Sequence, residues 1–287
     1  MENVKLFDAS FDKYAKNYDN ARPKYPEIMY EDIIKFCKLS AKDEILEIGS
    51  GSGLATKEFA KIGSKIISVE PGDNLVEVAK YNLSEYTNIE YICDTFENCN
   101  FSEKQFDSII SATAFHWLDK ETKYMNTAKC LKDNGFLILF WNSFCRDNSD
   151  VMKKIDEVYD KHLSGVYAKK GDVNTGVLNK VITREQEIIN NEYFYLASLK
   201  RYKTEYLYEA QSYAALLNTF PEIIKLDENT RKVFFEDIMK VIGDSGSKIK
   251  LPVMTTVYIL RKKEQFTNDF GTNIQDIYSF EENEIRM

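Results

Sequence analysis

Three glycines lie within five residues in the segment EILEIGSGSG, which ends at Gly53. Gly49, Gly51 and Gly53 follow directly after an apolar run that is typical of a β-strand. A glycine-rich turn between a strand and a helix lets a ligand approach the backbone, and the free N–H groups at the helix start favour an anion or a nucleotide. A phosphate-binding loop would continue with Lys and Ser or Thr, but Leu54 follows here, which excludes that type of site.

Two acidic residues strengthen the nucleotide interpretation. Glu70 ends the next apolar run, where a carboxylate can accept hydrogen bonds from both hydroxyls of a ribose. Asp94 ends the third run and is placed to accept a hydrogen bond from an adenine amino group. Each acid alone could equally cap a helix or face solvent. Glycines and acids at three successive strand ends favour a ligand that contains a nucleoside.

These residues require strands that end at one edge of a sheet. Between Glu44 and Asn142, short apolar runs alternate with segments of helical periodicity. The predicted strands are EILEIG, KIISVE, IEYICD, FDSIIS and FLILFWN; the predicted helices are LATKEFAKIG, DNLVEVAKYNL and ETKYMNTAKCLKDNG, the last ending at Gly135. Strands that are apolar on both faces belong in a parallel sheet covered by helices on each side, which predicts a doubly wound α/β fold.

The rhythm changes after Asn142, and five segments are expected along the chain. They are an N-terminal helical cap (1–40), a cofactor-binding core (41–146), a charged helical insert that acts as a lid (147–197), strands and helices that complete the sheet (198–263) and an acidic tail (264–287). Within the fourth segment, the pattern predicts a strand over 198–207, helices over 208–242 and a final strand in KLPVMTTVYILRKK.

The composition limits the possible partners. The 287 residues carry a formal net charge of −8, which disfavours non-specific attraction to nucleic acid or to an anionic membrane surface. Five scattered cysteines and only two histidines argue against a metal site or a disulfide framework. No apolar run reaches the about 18 residues of a spanning helix, and the polar N-terminus lacks a signal-peptide pattern. We therefore expect a cytoplasmic monomer or homodimer that binds neither nucleic acid nor a membrane.

The motifs resemble those of class I S-adenosylmethionine-dependent methyltransferases. LEIGSGSG, the acid that closes the second strand and the CD that closes the third carry the resemblance, which extends from about Phe11 to Lys263. YAKNYDNARPKYP is similar to the N-terminal cap of small-molecule members, SATAFHWLD to their strand-four motif, and YLYEAQSYAALLNTFPE to a C-terminal element. The group that contains the trans-aconitate methyltransferases is the most similar. The resemblance implies a Rossmann-like sheet of seven mostly parallel strands, with TTVYIL inserted antiparallel.

The resemblance also implies S-adenosyl-L-methionine as the cofactor. The glycine loop with Glu47 would lie under the methionine part, Glu70 would hold the ribose, and Asp94 and Thr95 would flank the adenine. The expected cofactor contacts are Tyr14, Tyr18, Arg22, Glu47, Gly49, Ser50, Gly51, Gly53, Glu70, Pro71, Leu75, Asp94, Thr95, Ser111 and Ala112.

Two of these groups have further implied roles. Ser111 and Ala112, at the end of strand four, would pass close to the methyl group. Tyr14, Tyr18 and Arg22 would close over the cofactor as a lid that excludes water, with Arg22 facing the cofactor carboxylate.

His116 is the candidate catalytic residue because it follows strand four, beside the expected path of methyl transfer. It is either a general base, since imidazole titrates near neutral pH, or part of the pocket wall together with Trp117. Tyr206 and Thr219 are the other expected acceptor contacts. They lie in residues 143–220, which we expect to form a largely helical cover over the acceptor.

Several cations could line the mouth of the pocket and favour an anionic acceptor. They are Arg146, Lys200, Arg201 and Lys203, although a solvated strand edge explains the last three equally well. His162 lies in a charged segment and is expected at the surface.

Three functions remain open at this point. The first is methylation of a small molecule, with an oxygen and possibly a carboxylate as acceptor; a carboxylate needs no base, whereas a hydroxyl or amine does. The second is methylation of RNA or protein, against which stands the lack of a basic stripe or an RNA-binding segment. The third is a protein that binds S-adenosylmethionine without turnover.

Overall fold

A computed structural model describes residues 21–145, 149–163 and 173–263 of the chain. Within these residues, seven strands form one sheet in the order β3-β2-β1-β4-β5-β7-β6. The strands are β1 (Glu44–Ile48), β2 (Lys65–Val69), β3 (Ile89–Ile92), β4 (Phe106–Ala112), β5 (Leu131–Phe144), β6 (Phe194–Glu209) and β7 (Lys248–Lys262). β1 to β5 pair in parallel, and β7 pairs antiparallel with both β5 and β6. The predicted Rossmann-like fold with an inserted antiparallel strand is confirmed.

Helices cover both faces of the sheet and extend beyond one end of it. They are α1 (Glu27–Cys37), α2 (Thr56–Ala60), α3 (Asp73–Asn82), α4 (Lys123–Cys130), α5 (Asp150–Leu163), α6 (Val173–Asn190), α7 (Ala210–Leu217), α8 (Pro221–Ile224) and α9 (Glu228–Asp244). Two 3₁₀ turns, Phe96–Asn98 and Phe115–Trp117, follow β3 and β4. None of the helices in the described residues is long and apolar enough to cross a bilayer.

The central strands are apolar on both faces, as a parallel sheet between helices requires. In β5, Leu137 and Leu139 belong to a core with α4 and α6, whereas Ile138 and Phe140 belong to a second core with α1 and α2. This alternation follows from the two-residue period of a strand.

A third apolar core lies where the paired ends of β6 and β7 extend beyond the other strands. Tyr208 and Ile249 from these ends pack with Ile155 of α5, Leu216 of α7 and Phe234 of α9. The segment after β5 therefore does not only cover the sheet, because it also builds a hydrophobic core of its own.

Three predicted boundaries differ from the structure. The helix expected to end at Gly135 ends at Cys130, because the N–H of Gln105 donates to the Cys130 carbonyl (2.9 Å) and Leu131 already pairs with Phe106 in the sheet. β6 begins at Phe194, so the boundary placed at residue 197 falls inside a strand. The helical region predicted over 208–242 begins two residues later and is divided into α7, α8 and α9. The predicted acidic tail lies outside the described residues.

Candidate active site

The glycine loop joins β1 to α2 and lies against the segment that follows β4. Gly49 has φ +71°, its N–H donates to the Val69 carbonyl (2.8 Å), and a Cβ at this position would overlap the Cβ of Ala114. Gly51 has φ +57°, but none of the described residues lies within 4 Å of where its Cβ would be. Gly49 is therefore required for packing, whereas Gly51 leaves bare backbone beside open space.

Glu70 follows β2 and holds the glycine loop from one side. Its residue is only 4% exposed, and its two carboxylate oxygens accept hydrogen bonds from the N–H groups of Gly51 (2.9 Å) and Gly72 (3.0 Å). Glu70 therefore ties the end of β2 to the backbone of the glycine loop.

Glu47 lies at the end of β1 and is 1% exposed. Burial raises the pKa of its carboxyl to about 8; the neighbouring Thr56 hydroxyl opposes this rise and the charge of Glu70 adds to it. Within the described residues, neither the Oε1 atom of Glu47 nor the Thr56 hydroxyl has a hydrogen bond of good geometry. Glu47 is therefore a neutral acid behind the loop at pH 7.

The acid at the end of β3 is exposed and also organises the backbone. Oδ1 of Asp94 accepts hydrogen bonds from the N–H of Thr95 (2.7 Å) and from Nδ2 of Asn98 (2.7 Å), which fixes the following 3₁₀ turn. Of the other two residues expected on this side, Leu75 is buried in the first turn of α3 and Pro71 is half-buried.

The serines expected near the cofactor are turned toward the protein interior. The hydroxyl of Ser111 donates to the Ile48 carbonyl (2.8 Å), and that of Ser68 donates to the Ser50 hydroxyl (2.7 Å). Both expected residues therefore support the strands and the loop.

Thr113 and Tyr25 were not identified from the sequence. Thr113 follows β4 with φ +57°, which is unusual for a β-branched residue. Its N–H donates to the Phe140 carbonyl (2.8 Å), and its hydroxyl lies 2.8 Å from that of Tyr25. Backbone strain of this kind clusters at functional sites, but only the structure could reveal it.

Arg22, predicted to face the cofactor carboxylate, and Thr219, predicted to contact the acceptor, are brought together. Nε and Nη2 of Arg22 donate to the hydroxyl (2.9 Å) and the carbonyl (3.1 Å) of Thr219, and the guanidinium lies 4.7 Å from the centre of the Phe220 ring. The Tyr206 hydroxyl donates to the carbonyl of Lys24 (2.6 Å). Residues 22–25 are thus fastened to the region after β5, whereas Tyr14, Tyr18 and Arg146 lie outside the described residues.

His116 lies in the 3₁₀ turn after β4 and is exposed on one side, whereas the other side of its ring contacts Trp117 and Trp141. The indole N–H of Trp141 donates to Nδ1 of His116 (3.2 Å), so the imidazole proton belongs on Nε2. Burial, followed by the positive charges of Arg184 and Lys123, lowers the pKa of the imidazole to about 4. His116 is therefore a neutral hydrogen-bond donor, which favours the pocket-wall interpretation; Trp117 beside it is 36% exposed.

Two of the cations expected at the pocket mouth are neutralised by neighbouring acids. Lys200 pairs with Asp32 of α1 (2.9 Å), and Arg201 pairs with Glu185 of α6 (2.6 Å). Lys203 is exposed. A different cation, Arg184 of α6, lies near His116, and no feature of its charged, weakly patterned segment distinguished it in the sequence.

The prediction that His162 lies at the surface is wrong. Its side chain is 10% exposed, and Nε2 lies 2.7 Å from Oδ2 of Asp237, because this face of α5 packs against α9. Across the described residues, no group of three or more His, Cys, Asp or Glu side chains could hold a metal ion.

Residues 46–139, which contain the glycine loop, Glu70, Asp94 and His116, match the family model described as a methyltransferase domain. These residues match a methyltransferase domain, and the sheet around them has the fold of class I S-adenosylmethionine-dependent methyltransferases. The cofactor of this class fits the site, because Gly51 leaves open space beside the carboxylate of Glu70 at the carboxyl ends of β1 and β2.

Relatives of the methyltransferase domain are found in distant organisms. An uncharacterized methyltransferase of Schizosaccharomyces pombe is 25% identical over 256 residues, which cover 86% of this chain and 94% of the relative. A protein of Dictyostelium discoideum, provisionally named a methyltransferase, is 31% identical over 54% of this chain and 57% of its own. Malonyl-[acyl-carrier protein] O-methyltransferase 1 of Ilyobacter polytropus is 32% identical over a segment that covers 47% of this chain and 51% of the relative. The chain thus spans little more than half the length of the last two relatives.

Solved structures show the same fold at low sequence identity. A provisionally named type II methyltransferase from Anaeromyxobacter dehalogenans superimposes with a TM-score of 0.60 at 15% identity, over 84% of this chain and 97% of its own. An S-adenosylmethionine-dependent methyltransferase from Thiobacillus denitrificans, in complex with S-adenosylhomocysteine, superimposes with a TM-score of 0.50 at 12% identity. The superposition covers 92% of this chain and 100% of the other. These structures support the architecture of the methyltransferase domain and its extension over most of the chain.

Proposed function

We propose that this chain transfers the methyl group of S-adenosylmethionine to an oxygen of a small molecule, with a carboxylate as the preferred acceptor. The observation that carries the proposal is the bare backbone at Gly51, which is hydrogen-bonded to the buried carboxylate of Glu70 beside open space. A ribose can bind a carboxylate in such a position, and the glycine backbone gives the rest of the cofactor close access.

The state of His116 supports an acceptor that is already an anion. Bound S-adenosylmethionine supplies an electrophilic methyl carbon, and the protein contributes orientation and the exclusion of water. A hydroxyl or amine acceptor would also require a group that takes up a proton. His116 is poorly suited to this role, because its Nδ1 accepts from Trp141 and its pKa is lowered to about 4.

The relatives support oxygen as the acceptor atom only in part. The Ilyobacter polytropus relative is named an O-methyltransferase, and it matches about half of this chain. The comparisons give no specific support for the trans-aconitate group. We therefore propose small carboxylic acids as a class and name no single acceptor.

Two other functions remain as alternatives, namely methylation of RNA or protein, and binding of S-adenosylmethionine without turnover. Incubation with S-adenosylmethionine labelled on its methyl group tests all three, using small carboxylic acids, phenols, amines, RNA and protein in parallel. We expect label in a small, base-labile product, as a methyl ester would be. Label in macromolecules, or base-stable label in an amine or phenol, would contradict the proposal. Cofactor binding without transfer to any acceptor would favour the binding protein.

A further inference from the structure

Arg184 lies against β5 and, among the described residues, pairs with no acid. Its guanidinium lies 4.3 Å from the centre of the Trp141 ring, in the geometry of a cation–π contact. Within the described residues, it forms no hydrogen bond and no ion pair. Arginine has five N–H donors in a rigid fork that matches a carboxylate, so a half-buried guanidinium without an acceptor is ready to bind an anion.

The acids nearest to Arg184 are already engaged by other groups. Glu185 accepts from Arg201 (2.6 Å) and from the Tyr258 hydroxyl (2.9 Å). Glu187 pairs with the buried ammonium of Lys123 (2.6 Å). Three cations thus face two carboxylates around α6, which leaves one positive charge in excess at Arg184.

A second donor lies beside this charge. Because Nδ1 of His116 accepts from Trp141, Nε2 carries the proton and can donate. Arg184 and His116 both contact Trp141: the guanidinium lies 4.3 Å from the centre of its ring, and the imidazole centre lies 6.4 Å from it. His116 retains an exposed edge and Arg184 is half-buried, so an anion can reach both from solvent.

This pair of donors is continuous with the cofactor loop. Ala114 packs against Gly49, and the 3₁₀ turn that contains His116 follows directly. The His116 donor therefore lies two residues along the chain from the contact between Ala114 and the cofactor loop.

We propose that Arg184 and the Nε2–H of His116 form a carboxylate-binding subsite that selects and orients the methyl acceptor. The proposal rests on the function proposed above and extends it, because it requires the acceptor to carry a carboxylate in addition to, or as, the methylated group. Arg184 is a specificity residue that binds the acceptor, and the ring of Trp141 positions the guanidinium of Arg184 by a cation–π contact.

The two tryptophans of the chain, Trp117 and Trp141, provide a direct readout. Both rings lie near His116, with centroid distances of 4.8 and 6.4 Å. Tryptophan emission of the protein saturated with S-adenosylhomocysteine is therefore titrated with acetate, glutarate, citrate and benzoate, and with the corresponding neutral amides. Binding is thus measured without turnover.

We expect at least one carboxylate to bind wild type at least about tenfold more tightly than Arg184→Gln, whereas the amides bind both alike. Lys200→Gln is the matched control, because it also removes one positive charge. Lys200 lies on β6, and its side chain is paired with Asp32. This variant should bind the carboxylates as wild type does. Affinity for S-adenosylhomocysteine should stay within about twofold in both variants.

Equal responses of wild type and Arg184→Gln to every carboxylate, including no response, would overturn the subsite. Equal weakening by Lys200→Gln would also overturn it, because the effect would then be one of overall charge. If Arg184→Gln fails to fold, Arg184→Lys decides, since it keeps the charge but loses the planar fork: wild-type carboxylate affinity in that variant would overturn the proposal. Failure of wild type to bind S-adenosylhomocysteine would instead contradict the proposed function.

Discussion

At the scale of single residues, the site combines a charged acid with a neutral one at neighbouring strand ends. Glu70 has two backbone N–H donors, which stabilise its negative charge. Glu47 is buried without such donors, and its pKa rises to about 8. Local hydrogen bonding therefore decides which of the two carboxyls can bind a ribose as an anion.

Replacing Glu70 by Ala should weaken cofactor binding more than it weakens the fold. We expect a loss of affinity of about 100-fold or more, since two hydrogen bonds to a charged group contribute about 1.5 kcal/mol or more each. The free energy of unfolding should fall less, because water can replace the carboxylate at the partly exposed Gly51. Calorimetry with S-adenosylhomocysteine and chemical denaturation give the two values, and equal losses would indicate a purely structural acid.

Replacing His116 by Asn should leave most of the turnover intact. The Asn amide can donate a hydrogen bond in place of Nε2–H, and no proton uptake is required of a donor. We expect a decrease of less than about tenfold in kcat for the carboxylate acceptor found in the transfer screen. Loss of a required general base would instead cost about 100-fold or more, and a decrease of that size would restore the base interpretation.

Glu47 should make the stability of the protein depend on pH. Its pKa rises from 4.5 to about 8 on folding, so the folded state holds one more proton between these values. Its contribution to stability is complete below about pH 4.5 and is lost as the pH rises toward 8. Glu47→Gln should remove this part of the slope and stabilise the protein at pH 8 by on the order of 1 kcal/mol or more. Denaturation at pH 5, 6, 7 and 8 measures the slope; identical slopes would show that Glu47 is ionised in the fold.

At the scale of elements, the loop between β1 and α2 uses its glycines for different purposes. Gly49→Ala should destabilise the fold by about 1–3 kcal/mol, because the new Cβ meets Ala114 and the backbone has φ +71°. Gly51→Ala has open space around its Cβ, so its main cost is the left-handed backbone, about 1–2 kcal/mol.

The two alanine variants should therefore separate folding from binding. Gly51→Ala should lose affinity for S-adenosylhomocysteine by about tenfold or more while remaining folded, because its methyl group enters the space expected for the ligand. Thermal melting and calorimetry of both variants check this. Wild-type affinity in Gly51→Ala would show that the cofactor does not approach this residue.

The sequence predicted the strands and helices that have a clear hydrophobic pattern. It did not predict the boundaries and site residues that depend on contacts between distant parts of the chain. β1, β2, β4 and β5 are continuous apolar runs, and the acids that follow β2 and β3 could be assigned by position. The end of α4 could not be predicted, because KDNG favours a helix end at Gly135 whereas pairing with β4 already begins at Leu131. Arg184 and Thr113 could not be identified from the sequence for a similar reason. Arg184 contacts Trp141 and Thr113 contacts Tyr25, and both partners are distant in sequence.

At the scale of the whole molecule, the third core joins the helices after β5 into one unit. α5 and α9 are connected at their surface by Asp237, which lies 2.7 Å from both Lys161 and His162. These two contacts differ in burial, because the Lys161 side chain is 63% exposed and that of His162 is 10% exposed.

Replacing His162 by Ala should therefore destabilise the protein more than replacing Lys161 by Ala. We expect about 1–3 kcal/mol for His162, which loses a hydrogen bond to a charged group and buried ring contacts with Phe234. Lys161 should contribute at most about 1 kcal/mol, as exposed ion pairs do. Urea denaturation measures the free energy of unfolding of both variants. A larger loss in Lys161→Ala would show that the connection between α5 and α9 through Asp237 is mainly ionic.

The position of β7 has a consequence for the protein while it is being synthesised. β7 lies between β5 and β6, although about 100 residues separate its start from the end of β5. At about 5–20 residues per second, the ribosome needs about 5–20 s to reach it. During this interval, the nascent chain carries the apolar strand FLILFW with one edge unpaired, which is a hazard for aggregation. A chaperone that shields this edge would act before β7 emerges, and a premature stop codon before Lys248 would yield an aggregating product and not a partly active one.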